Sequence, residues 1–166
     1  TLLTLGDGGA TGTAENIAGV GTKGNKIALN SKTLAVSAYG DEDISGLTGS
    51  GTVNVTTADG ASLVSAALTT ADAIVIGAGT ASATAANLNT ITDNKITVNS
   101  GTTLNVSAYT DQALNAATNN GTLNVTGGTD QITVDSTKLG GITLRTVGHG
   151  GATGTAENIA GVGTKG

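Results

Sequence analysis

The stretch "TLNVSAYTDQALNAATNNGTLNVTG", residues 103–127, writes nearly the same strand twice. In Thr103–Ser107 and again in Thr122–Thr126, Leu and Val alternate with Thr, Asn and Ser. Side chains alternate faces along a strand, so Leu104 and Val106 point one way and Thr103, Asn105 and Ser107 the other. The "NNG" at 119–121 is a turn signal. Earlier in the chain the pattern recurs as "TLAVS" at 33–37 and "TVNVT" at 52–56, with the same spacing from first strand to second. A strand returning at constant spacing is what stacked coils produce. Leu34, Val36, Val53, Val55, Leu104, Val106, Leu123 and Val125 are the expected lining of a thin core.

The repetition extends outward on two longer scales. "GGATGTAENIAGVGTKG" stands at 8–24 and, letter for letter, at 150–166, so one long unit runs from Gly8 to His149. Inside that unit, "NKIALNSKTLAVSAY" from Asn25 resembles "NKITVNSGTTLNVSAY" from Asn94. "TAANLNTI" at 84–91 resembles "TAENIAGV" at 13–20 and 155–162. The chain therefore divides into residues 1–24 as the end of one repeat unit, 25–93 as a first half-repeat and 94–166 as a second. Exposed Thr, Glu and Lys positions tolerate change, so folding does not demand the perfect match; duplication of the long unit does. The chain reads as a window on a tandem array, in which the residues after Gly166 are expected to resemble "NKIALNS".

Composition agrees with a narrow all-β body. The 166 residues include 27 Gly, no Pro, Cys, Met, Trp or Phe, and two aromatics, Tyr39 and Tyr109. With no large aromatics to fill a thick centre, the interior is built from β-branched and small side chains that suit a pleated surface. One coil alone cannot bury its apolar face, so stability comes from stacking on neighbours, as in solenoids. The expected fold is an all-β repeat solenoid, β-helix- or β-roll-like, with short helical turns. Further strands are expected at 26–30, 62–66, 73–77, 95–99, 131–135 and 142–147. "TAENIAGVG" is expected to form a short helix capped by Thr13, with Ile17 and Val20 inward and Gly21 as its stop. The alternative is a string of small β-sandwich domains, one per half-repeat.

Charge excludes some partners. The net charge is −5, and charged residues are 11% of the chain. With no basic patch and no aromatic stacking platform, nucleic-acid binding is not expected. No apolar run is long enough to span a membrane. The absence of Cys removes disulfides and thiolate chemistry and fits a secreted protein.

The segment "GGTDQITVDSTKLGGITL" at 127–144 resembles the haemolysin-type (RTX) nonapeptide, Gly-Gly-x-Gly-x-Asp-x-apolar-x. Gly127, Gly128, Asp130 and Ile132 match in part; one residue is missing, and Thr129 stands at a glycine position. That resemblance implies a calcium-loaded parallel β-roll. The Thr/Ala/Gly/Asn-rich style of the whole chain is similar to tandem repeats of large bacterial surface proteins and adhesins, which implies an extracellular or cell-surface scaffold.

The candidate metal ligands are Asp41, Glu42 and Asp43 in "GDEDISG", since calcium takes six to eight hard oxygens. Against them, the matching stretch in the second half keeps only Asp111. Otherwise no cofactor is expected. His149, the sole histidine, stands where the first copy has Asp7, and Arg145 is the sole arginine; neither has the partners that catalysis needs. Tyr39 and Tyr109 each end a "VSAY" and are expected to cover the end of a coil with the hydroxyl in water. The expected function is a non-enzymatic structural module of a long extracellular filament, sheath or surface layer. Its expected partners are neighbouring copies of itself, with surface polysaccharide as a further candidate. The alternative is a calcium-stiffened stalk of an adhesin.

Overall fold

A computed structural model describes residues 2–22, 26–91, 95–111, 117–135, 144–146 and 148–163. Every strand pairing in it is parallel. The strands form four sheets. The first holds β1 (Leu2–Thr4), β3 (Lys26–Ala28) and β5 (Leu47–Thr48). The second is six-stranded: β2 (Ala10–Thr13), β4 (Thr33–Tyr39), β6 (Thr52–Thr57), β8 (Ala73–Ile76), β10 (Ile96–Val98) and β12 (Ala117–Asn119). The third holds β7 (Ala61–Ser62), β9 (Thr80–Thr84), β11 (Thr103–Tyr109), β13 (Thr122–Gly127) and β15 (Leu144–Thr146). The fourth pairs β14 (Ile132–Thr133) with β16 (Ala152–Thr153). Each strand pairs with the one a full coil earlier, so the fold is a parallel β-solenoid. The string of sandwiches is thereby excluded, since sandwiches pair their strands antiparallel.

The core is the thin one that the alternation calls for. Leu34, Val36, Val53, Val55, Leu104, Val106, Leu123 and Val125 are all buried, and with Ile74, Ile76, Ile96 and Val98 they belong to one continuous cluster. Register stacks like on like: Leu34 on Val53, Val36 on Val55, Leu104 on Leu123 and Val106 on Val125. Gly51 and Gly121 each precede one of these strands, and both are required by close approach. A Cβ at Gly121 would collide with the Asn99 carbonyl oxygen, and one at Gly51 would fall 2.6 Å from that of Lys32.

Several elements depart from the sequence pattern. The strand expected at 62–66 stops at Ser62, and residues 65–70 form turns that still bury Leu68. The strand expected at 131–135 is shorter, Ile132–Thr133; of the one expected at 142–147, Leu144–Thr146 is strand and residues 142, 143 and 147 lie outside the described set. The helix α1 (Ala14–Thr22) runs through Gly21 rather than stopping at it; Thr13 caps it as expected, its Oγ1 accepting from the Asn16 N–H at 3.3 Å. The helices α2 (Ala85–Thr90) and α3 (Ala156–Gly163) repeat that cap with Thr84 and Thr155.

Sequence-equivalent strands lie in different sheets. β4 and β11 share "VSAY" but belong to the second and third sheets; β6 and β13 share the Thr-x-Asn-Val-Thr pattern and are shifted likewise. β2 and β9, which lead into α1 and α2, are again in the second and third. Each half-repeat therefore advances the pattern by one sheet around the solenoid.

Candidate functional site

The acidic loop follows β4. Two of its carboxylates serve the loop's own backbone. Glu42 Oε2 accepts from the Gly40 N–H at 2.7 Å and from the Asp41 N–H at 3.2 Å. Asp43 Oδ1 accepts from the Ser45 N–H at 2.9 Å, and hydrogen bonds from Ser45 hold the Asp43 carboxyl below its ordinary value. Asp41 is exposed. Among the described residues no group of three or more His, Cys, Asp or Glu converges as metal ligands would. Asp43 instead lines an open groove of about 280 Å³ with Ala18, Gly21, Ser45 and Gly46.

Other aspartates also bond backbone, here across coils. Asp72 accepts from the Val53 N–H at 2.7 Å, Asp59 from the Thr80 N–H at 2.7 Å, and Asp111 from the Thr133 N–H at 2.8 Å. These bonds join segments 19 to 22 residues apart. They tie one coil to the next, those of Asp72 and Asp59 at the ends of the β6–β8 and β7–β9 ladders.

Tyr39 and Tyr109 do not cover a coil end with a wet hydroxyl. Both are fully buried, and neither hydroxyl has a hydrogen-bond partner among the described residues. Burial pushes each phenol up to about 12, although the Val64 backbone near Tyr39 offsets part of that push. Ala38 and Ala108, the residues before them, have φ of 52° and 53°. At that point the register shifts, so that Tyr39 stands opposite Thr57 and Tyr109 opposite Gly127.

The outward faces are polar. On the third sheet Thr80, Thr103 and Thr122 stand in one row, and Ser82, Asn105 and Asn124 in the next. Asn124 Nδ2 donates to Asn105 Oδ1 at 2.9 Å. His149 is exposed in a turn, and Asp7, its counterpart, pairs with Lys32 at 2.9 Å. Arg145 lies on β15, and its side chain is outside the described residues. Of the residues matched to the RTX nonapeptide, Ile132 is buried and Asp130 exposed; residues 136–143 are outside the described set.

The most informative surface is the coil of β16 and α3, which pattern reading did not single out as a site. Its sequence is identical to that of β2 and α1. Its turn is built the same way: Gly151 donates to Gly148 as Gly9 does to Gly6, with φ of 75° and 68°. The surroundings differ. Ile17 is 7% exposed and Ile159 55%. Ala14 is buried and Ala156 exposed. No helix among the described residues is long and apolar enough to cross a membrane. No protein-family model, curated protein or solved structure matches the chain.

Proposed function

We propose that the chain is a non-enzymatic structural module, a repeat of a long extracellular filament, sheath or surface-layer protein whose work is reach and stiffness. One observation carries this reading. The sequence repeat is wound as a parallel solenoid in which the last described coil, β16 and α3, has the same fold as the first, β2 and α1, so copies can follow one another without a break. The polar Thr, Ser and Asn rows keep the outer faces hydrated. The low charge and absence of Cys support an extracellular or cell-surface location.

Small-angle scattering on chains of one, two and three long units tests the reading. With strands about 4.8 Å apart and coils of roughly 21 residues, each unit should lengthen the rod by roughly 30 Å at constant cross-section. Separate compact bodies joined by linkers would sink it. The calcium-stiffened adhesin stalk has no observation in its favour here, and melting in a chelator separates it from the reading above.

A further inference from the structure

Two copies of one sequence in two environments reveal a seat. Around α1, Ile17, Val20 and Gly21 face Ile27, Gly46 and Leu47 and leave no room for a water between them. β1 pairs with β3, and β2 with β4. A Cβ at Gly9 would collide with the Thr33 backbone oxygen, whereas one at Gly151 would meet nothing within 4 Å. The coil of residues 26–48 therefore covers the first copy. Among the described residues nothing covers the second copy in that way. β15 and β16 are the outermost strands of their sheets among the described residues, so each offers a free ladder edge. An unpaired parallel edge above an exposed isoleucine is a template for another coil.

We infer that the face formed by β15, β16 and α3 is a docking surface for a second copy of this chain, which enters through its residues 26–48. The register follows from the first copy. Leu2 stands opposite Lys26 and Thr11 opposite Ala35, so Leu144 meets the incoming Lys26 and Thr153 the incoming Ala35. Ile159 then packs against the incoming Ile27 and Leu47. The incoming coil adds to the third and fourth sheets here, whereas in its own chain the same residues lie in the first and second. The second copy is thus rotated by two sheets relative to the first. This inference rests on the filament reading and specifies the joint that the filament uses.

The test compares Ile159→Asp in two chains: residues 1–166, and a double-length chain in which residues 25–166 follow Gly166. In the shorter chain Ile159 is already in water, so the melting temperature should hold within about a degree, as expected of a surface substitution. In the double-length chain the same substitution buries a charge against Ile27 and Leu47 and should lower the melting temperature of the joint by several degrees. Ile159→Ala, which adds no charge, should show the same contrast at smaller size. An equal, negligible effect of both substitutions in both chains would overturn the seat. Scattering from the double-length chain keeps the two ideas apart. A lengthened rod with silent Ile159 substitutions removes this seat alone, and a chain that does not lengthen removes the filament reading.

Discussion

Ala38 and Ala108 hold a left-handed backbone that costs an alanine about 1 kcal/mol or more. The conformation reverses the alternation of the strand. Leu34 and Val36 point inward, so a strict two-residue period would place Ala38 inside and Tyr39 outside; the turn at Ala38 exposes the alanine and buries the ring. The sequence pattern alone therefore aims the tyrosine at water. Repetition of "VSAY" shows that the position matters, but nothing in it declares a positive φ at an alanine. Ala38→Gly should stabilise the protein by about 0.5–1 kcal/mol in urea unfolding, because glycine adopts this conformation without strain. The buried hydroxyls are expendable by the same logic. A buried donor without a partner is a cost of about 1–3 kcal/mol, so Tyr109→Phe should leave stability equal or higher, and Tyr39→Phe, where the Val64 backbone acts on the phenol oxygen, should gain less. The phenols also fix an alkaline limb. Their folded values, raised to about 12, lie above the ordinary 10. The folded state therefore binds more protons between those values, and stability present below pH 10 falls as pH rises from 10 to 12. Tyrosinate absorbance should appear together with unfolding, and the double Phe variant should flatten that limb.

Among the elements, the strands in which two bulky aliphatic residues alternate with polar ones were legible; the short β1 and β5 and the alanine-built β9 were not. β11 and β13 declare themselves through two bulky side chains each. β9 turns inward only Ala81 and Ala83, both buried, and alanine carries little strand preference. β9 shares with β2 its place just before a helix, where the coil is filled from the helix side: Ile17 from α1, and Leu88 from α2. The helices were legible through their threonine caps, although the glycine expected to end α1 lies within it. Thr84→Ala should cost about 1 kcal/mol, since the Asn87 N–H then loses its acceptor at a helix only six residues long. Thermal melting followed by circular dichroism checks the figure. In the acidic loop Glu42 and Asp43 accept from backbone N–H groups and close a turn, a use that their adjacency in sequence does not declare.

At the scale of the molecule, the solenoid class followed from spacing, because strands that return at a constant interval with their apolar positions in step pair readily with the previous coil. The advance by one sheet was not legible. It depends on where each strand falls around the coil, and the period of the sequence does not encode that angle. Nearest-neighbour stacking makes stability grow with length before it levels off. A two-unit chain should therefore melt higher than one unit, and a third unit should add less. Chelator should leave those melting temperatures unchanged, since Glu42 and Asp43 are already held by N–H groups of their own loop.

The sheet-by-sheet advance bears on how a long chain would flex. A coil that carries a helix lacks ladder bonds on that side, which makes it the compliant part of the wall. α1 spans the arc from the second sheet round to the first, and α2 the arc from the third to the second. Were these soft places aligned, the rod would have one plane of easy bending. Because they precess, a long rod built this way would have no direction weakest over its whole length and would resist a transverse load similarly from every side.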